Sequence, residues 1–118
     1  MAINVLISVG ELLDKISILE IKAFLTNNEY VHKELEELNQ IKSTITQYTL
    51  EYEVQLKKVN ETLWKIEDRL REKEKLKEFD EEFIQLARNV YITNDKRAEL
   101  KRQINEGTGS HYREVKVY

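Results

Sequence analysis

The chain has 118 residues and a formal net charge of −3, with 19 Lys and Arg interleaved with 22 Asp and Glu. This length predicts one domain spanning residues 1–118, and the balanced charge argues against a nucleic-acid partner, which usually meets a concentrated basic face. The chain has no Cys, which excludes disulfides, thiolate nucleophiles and cysteine metal sites, and it has no Pro and three Gly, which favours long helices.

The first predicted elements are a short strand and a long helix. Residues 3–7, INVLI, are apolar and mostly β-branched, as in a strand. A helix follows from about Val9 to Thr26, with Ser8 as its N-cap and Glu11 completing a capping box. This helix is apolar on almost every side, a pattern typical of a central helix that contacts several neighbours.

Two further helices follow a short break that contains Asn. The second carries an apolar stripe from Val31 to Tyr48, and the third carries a heptad stripe from Tyr52 to Leu70. The segment between them is rich in β-branched and aromatic residues, so we expect a turn that joins a long antiparallel helical hairpin. Because no Gly or Pro marks this turn, one continuous helix stays open as the alternative.

The fourth helix is predicted from its N-cap Asp80 to about Glu106, where Gly107 and Gly109 are expected to end it. The tail alternates polar and apolar residues, so residues 113–117 are read as a strand that would pair with the N-terminal one. The predicted fold is therefore all-α: a four-helix bundle that contains the long hairpin and has room for a short terminal β ribbon.

Several classes of protein are excluded or disfavoured. No apolar stretch approaches the roughly 20 residues of a membrane span, and no basic segment precedes the N-terminal apolar run as in a signal peptide. We therefore expect a cytoplasmic protein with no membrane partner. The isolated His32 and His111 predict no metal site, and no phosphate loop or hydrolase triad indicates a cofactor or a catalytic centre. Whether the chain is an enzyme stays open.

The fourth helix places polar residues where its buried face should continue. On a helical wheel, Asn94, Arg97 and Lys101 fall inside the apolar arc instead of opposite it. A buried guanidinium or ammonium must be paired and hydrogen-bonded. We expect their acidic partners on other helices: Glu20 and Asp14 on the first helix and Glu67 on the third, with Glu20 and Glu67 first.

Two interpretations of this polar stripe stay open. In the structural one, the long side chains lie on apolar surface with their charges in water, or form ion pairs without chemistry. In the functional one, they line a pocket between helices one, three and four that binds a small carboxylate or phosphate, with or without catalysis. The candidate ligand-binding residues are Asn94, Arg97, Lys101, Glu67, Arg71, Trp64, Glu20 and Asn60.

The heptad stripe of the third helix favours a different function. A coiled-coil homodimer would bury this stripe and the surplus apolar surface of the chain. The sequence therefore predicts a non-enzymatic interaction or assembly protein, which associates with itself or with another protein. The small-anion pocket is the alternative.

Three segments resemble a small uncharacterised helical family, a domain of unknown function found in bacteria and large tailed phages. They are SVGELLDKISILEIK, VNETLWKIEDRLR and LARNVYITNDKRAELKRQIN, which together cover about half of the chain. The resemblance implies a small, mainly helical cytoplasmic protein without an established activity. LLDKISILEI is also similar to the first helix of the helical chorismate mutases, which bind a dicarboxylate with Arg and Lys in a bundle.

Overall fold

A computed structural model describes residues 1–113 and 115–117. Its helices are α1 (Val9–Leu25), α2 (Glu29–Lys42), α3 (Leu50–Leu76) and α4 (Glu81–Thr108). The prediction of an all-α fold with four helices is confirmed. Residues 43–49 separate α2 from α3, so the alternative of one continuous helix is wrong. No helix in these described ranges combines the length and apolarity that crossing a membrane requires.

The predicted β ribbon is not formed by the described residues. Residues 3–7 are without strand pairing, and their apolar side chains are exposed. The second predicted strand, residues 113–117, contains Glu114, which lies outside the described residues. A lone two-stranded ribbon has little stability of its own, so β-branched composition is not sufficient to form one.

Local capping sets the ends of α1 and α4 as predicted. At the start of α1, the Ser8 hydroxyl accepts a hydrogen bond from the Glu11 backbone N–H at 3.0 Å. Asp80 caps α4 in the same way. The helix ends at Gly109, whose φ of 63° is left-handed, as predicted. The expectation that Gly107 also ends the helix is wrong, because Gly107 lies inside the last turn.

The first helix is the centre of the bundle, as its apolar surface predicts. It packs against α2, α3 and α4, and its Leu13 and Ile16 are among the most deeply buried side chains. Leu56 from α3 and Ile104 from α4 meet them in the core. The buried hydrophobic cluster is Leu12, Leu13, Ile16, Leu56, Leu100 and Ile104.

The two helices of the predicted hairpin, α2 and α3, do not pack closely on each other along their length. Their Cα atoms stay more than 8 Å apart, and α2 packs only on α1 among the described helices. The two helices meet near the turn, where Lys42 Nζ lies 2.8 Å from Glu53 Oε1. The heptad stripe of α3 faces the bundle instead, with Leu56 and Leu63 buried. This arrangement arises because α1 supplies the apolar surface that both helices bury.

The bundle is more open than a compact domain of its size. Its radius of gyration is 16.1 Å, whereas about 13.5 Å is expected for this length. Its accessible surface is 8580 Å², about 1,800 Å² more than a typical monomer of this mass exposes. The extended N-terminal segment and the gap between α2 and α3 both contribute to this surplus.

Candidate functional site

An ion pair between α1 and α4 lies at the centre of the predicted polar stripe. Arg97 Nε donates to Asp14 Oδ1 at 2.9 Å, and Arg97 Nη2 donates to Asp14 Oδ2. Asp14 is 1% exposed, whereas the Arg97 side chain is 29% exposed and reaches the carboxylate from the surface. The planar guanidinium suits this two-contact geometry, which neutralises a charge held in the core.

Further polar side chains complete the surroundings of Asp14. Asn60 Nδ2 on α3 donates to Asp14 Oδ1 at 2.9 Å and to Ser17 Oγ at 2.7 Å. The Ser17 hydroxyl donates to the backbone carbonyl of Asp14 at 2.7 Å. Asn94 accepts a hydrogen bond from Arg97 Nη1 at 3.4 Å. This polar core joins α1, α3 and α4 and satisfies the buried carboxylate.

Lys101 has its acidic partner at the start of α1. Its Nζ lies 2.8 Å from Glu11 Oε2, and Lys101 is only 6% exposed. The predicted capping box would turn the Glu11 carboxylate back to the Ser8 backbone. The carboxylate instead crosses to α4, because the buried ammonium there needs an opposite charge.

The N-terminus of α1 lies against the last turns of α4 and Ser110 just beyond them, which accept hydrogen bonds from its backbone N–H groups. Gly10 N donates to Asn105 Oδ1 at 2.7 Å, and Val9 N donates to Ser110 Oγ at 3.1 Å. A Cβ atom on Gly10 would lie 2.8 Å from the Lys101 carbonyl oxygen, so only glycine permits this approach. Within the described residues, the buried Asn105 Nδ2 finds no acceptor.

A pocket of about 380 Å³ opens beside this polar core. Arg97 and Lys101 reach it, and each faces the carboxylate described above. The third cation, Lys116, lies 2.8 Å from Asp95 Oδ1. Every cation that lines the pocket therefore has an acidic neighbour. The lining residues are Val90, Tyr91, Asn94, Asp95, Arg97, Ala98, Lys101 and Lys116.

Half of the predicted site residues lie together around the polar core and its pocket: Asn60, Asn94, Arg97 and Lys101. Of the expected acidic partners, Asp14 pairs with Arg97, whereas Glu20 and Glu67, which were expected first, do not. The partner of Lys101, Glu11, was not among those expected. The sequence signal for Asp14 is its position within a helix that is apolar on nearly every side.

The other four predicted site residues lie elsewhere. Glu20 Oε2 is 3.3 Å from Lys57 Nζ at a separate cavity, which Trp64 also lines. Glu67 and Arg71 are exposed neighbours on α3, with Glu67 Oε2 4.0 Å from Arg71 Nη2. The structure therefore does not bring these four residues into one pocket with Arg97.

A family model described as a family of unknown function, DUF6165, matches residues 3–118. The chain belongs to this family. The resemblance to an uncharacterised family is thereby confirmed. No curated protein matches the chain, and no solved structure matches it. Membership of DUF6165 carries no activity that could be transferred, so the function has to be argued from the geometry.

A larger cavity, of about 800 Å³, lies between α2 and α3 with the second half of α1 as its floor. We call it the Trp64 groove. Phe24 at its edge is 90% exposed, and Leu25 beside it is also exposed. Sequence reasoning missed this surface, because it treated α1 as covered on every side. The apolar lining is Ile21, Ala23, Phe24, Leu25, Leu35 and Trp64, and the charged rim is Glu20, Lys57, Glu61, Lys65 and Asp68.

A second buried charge, also missed by sequence reasoning, lies where α3 meets α4. Lys73 is 2% exposed, and its Nζ lies 2.8 Å from Asp80 Oδ2 and 2.9 Å from Glu82 Oε1. Its hydrogen bonds hold the pKa of both carboxyl groups below their usual values, and the same bonds raise the pKa of Lys73. The cluster fixes the corner between the helices.

In residues 1–113 and 115–117, no group of three His, Asp or Glu is placed to hold a metal.

Proposed function

We propose that the protein is a non-enzymatic helical interaction module, which binds an amphipathic helix of a protein partner in the Trp64 groove. The observation that carries this proposal is the exposure of Phe24, 90%, beside Trp64 in a contiguous apolar cavity. Contiguous apolar surface of this kind marks interaction sites, and a groove between helices suits the apolar face of another helix.

The packing of the bundle supports this proposal. Both α2 and α3 pack on α1, but their Cα atoms stay more than 8 Å apart, so a gap lies between them beyond the Lys42–Glu53 ion pair near the turn. A helix laid in this gap would cover Phe24 and Trp64. The prediction of an assembly protein is kept, but its interface moves from the heptad stripe to the groove.

Site-specific photocrosslinking in the cells that make this protein tests the proposal. A photoreactive amino acid replaces Phe24 in the groove or, as a matched control, Arg88 on the exposed side of α4. We expect one adduct of defined mass from position 24 and none from position 88. The purified partner should then shift the emission of Trp64, the only Trp in the chain, to shorter wavelength. Absence of an adduct at position 24, or equal adducts at both positions, would reject the proposal.

A second candidate function is the binding of a small phosphate or carboxylate in the pocket beside Arg97. The observation that favours it is the presence of three cations and the Asn94 amide along one pocket of about 380 Å³. Cations that converge in this way suit an anionic ligand. Their carboxylate neighbours weaken the attraction, which makes this candidate second to the groove.

Thermal-shift measurements with phosphate and with citrate test the second candidate. A bound anion should raise the midpoint of the wild type, and the rise should be lost in Asn94→Ala and kept in Arg88→Ala. If neither anion raises the midpoint at concentrations of about 10 mM, the pocket is not an anion site of useful affinity.

A further inference from the structure

Four charged residues follow one line along α3 at the rim of the Trp64 groove: Lys57, Glu61, Lys65 and Asp68. Spacings of four, four and three residues keep them on one side of the helix, which explains why all four reach the same cavity. Their charges alternate in sign along the helix. We call this line the charge stripe.

When a second copy of α3 lies antiparallel to the first, the positive residues of one charge stripe face the negative residues of the other. A two-fold axis across α3 near residue 63 sets Glu61 opposite Lys65 of a second copy. The same axis brings Lys57 within one residue, about 1.5 Å along the helix, of Asp68 of the second copy. Symmetry repeats each pair, so the arrangement contains four pairs of opposite charges, while Lys57 also has Glu20 of its own chain 3.3 Å away.

The same axis brings the aromatic residues of the groove together. The two Trp64 side chains lie two residues apart along the paired helices, about 3 Å, and therefore close to the centre of the contact. Phe24 of each copy projects from α1 at the edge of this centre. An aromatic centre with a charged rim is the usual arrangement of a specific interface.

We infer that the occupant of the Trp64 groove is a second copy of this chain, docked antiparallel along α3 about a two-fold axis near residue 63. This inference rests on the proposed interaction function and adds to it the identity of the partner and the orientation.

Charge reversal with sedimentation velocity tests the inference. The wild type should change from monomer to dimer as its concentration rises, with the Trp64 emission shifting to shorter wavelength over the same range. Glu61→Lys alone and Lys65→Glu alone should each weaken association at least about tenfold, because each places like charges opposite each other twice. An equimolar mixture of the two variants should associate again as a heterodimer, since a basic stripe centre then faces an acidic one.

The control is Arg88→Glu, an equal charge reversal on the exposed side of α4, which should dimerise like the wild type. All exchanged side chains are exposed, so circular dichroism of each variant should confirm that the fold is kept. A wild type that stays monomeric up to about 1 mM overturns the inference, as does a dimer that neither reversal weakens or a mixture that fails to recover.

The crosslink at position 24 distinguishes failure of the dimer inference from failure of the proposed interaction function. An adduct with twice the mass of the chain supports the inference. An adduct with a different protein, together with a monomeric wild type, overturns the second copy as occupant and leaves the interaction module standing. No adduct at all rejects both.

Discussion

Arg97 and Asp14 lie 83 positions apart in the chain and form a two-contact ion pair at the junction of α1 and α4. Asn60 of α3 donates to the same carboxylate, so one buried side chain of α1 contacts groups from α3 and from α4. Because Asp14 is almost fully buried, its charge can be kept in the core only while these donors are in place. The pair therefore links the packing of three helices.

Replacement of Arg97 should be strongly destabilising. Arg97→Met leaves the Asp14 carboxylate without its main counter-charge, and we expect the free energy of unfolding to fall by about 3–5 kcal/mol. Urea denaturation of Arg97→Met, Asp14→Asn and the double variant forms a double-mutant cycle. The coupling energy between the two positions should be about 1–3 kcal/mol. Additive effects of the two substitutions would contradict the importance of this pair.

A methyl group at Gly10 should separate α1 from α4. The added Cβ would lie 2.8 Å from the Lys101 carbonyl oxygen and 2.9 Å from Asn105 Oδ1, so the helices must move apart. We expect Gly10→Ala to lower the free energy of unfolding by about 1–3 kcal/mol in urea denaturation. Gly107→Ala is the matched control, since nothing lies within 4 Å of its Cβ position. It should be neutral or stabilise the helix by up to about 1 kcal/mol.

The corner at Lys73 should weaken in acid. The pKa values of Asp80 and Glu82 lie below their ordinary 3.8 and 4.5, mainly through hydrogen bonds from Lys73. A carboxyl whose folded pKa is lowered stabilises the fold above its unfolded pKa, and this stabilisation is lost as pH falls through the folded value. Urea denaturation of the wild type and Lys73→Met from neutral pH to about pH 3 should show their difference shrinking below about pH 4.5. A difference that stays constant over this range would contradict the role of the two carboxylates.

Alanine in the heptad stripe of α3 should damage the core without changing self-association. Leu56 is 0% exposed and packs against α1 and α4, so Leu56→Ala should lower the free energy of unfolding by about 2–5 kcal/mol. Val54→Ala, at an exposed site on the same helix, should change it by less than about 1 kcal/mol. Sedimentation should give both folded variants the association constant of the wild type. Weaker association of Leu56→Ala would instead favour a coiled coil formed by the stripe.

Features that depend on neighbouring residues were predictable. The Ser8 and Asp80 caps and the Gly109 end involve groups within about one helical turn, so the local sequence specifies them. The wheel of the fourth helix also placed Lys101 correctly in the buried arc. Asp14 was among the expected acidic partners, but Glu20 and Glu67 were expected first. A helical wheel gives the angle of a residue around the helix and not its position along the axis, so it could not rank them. Glu20 lies about 9 Å further along α1 than Asp14, too far to meet the same cation directly.

The amino-acid sequence by itself determined that this chain forms four helices, that α1 is central, and that cations of α4 lie in a buried face. These properties follow from apolar periodicity and capping, which act within a segment. Only the tertiary structure decided which surfaces meet: α2 on α1 instead of α3, Asp14 on Arg97, and an open groove at Phe24 and Trp64. An apolar stripe must be buried against another surface. Its composition does not identify which helix provides that surface, because the hydrophobic effect is non-directional.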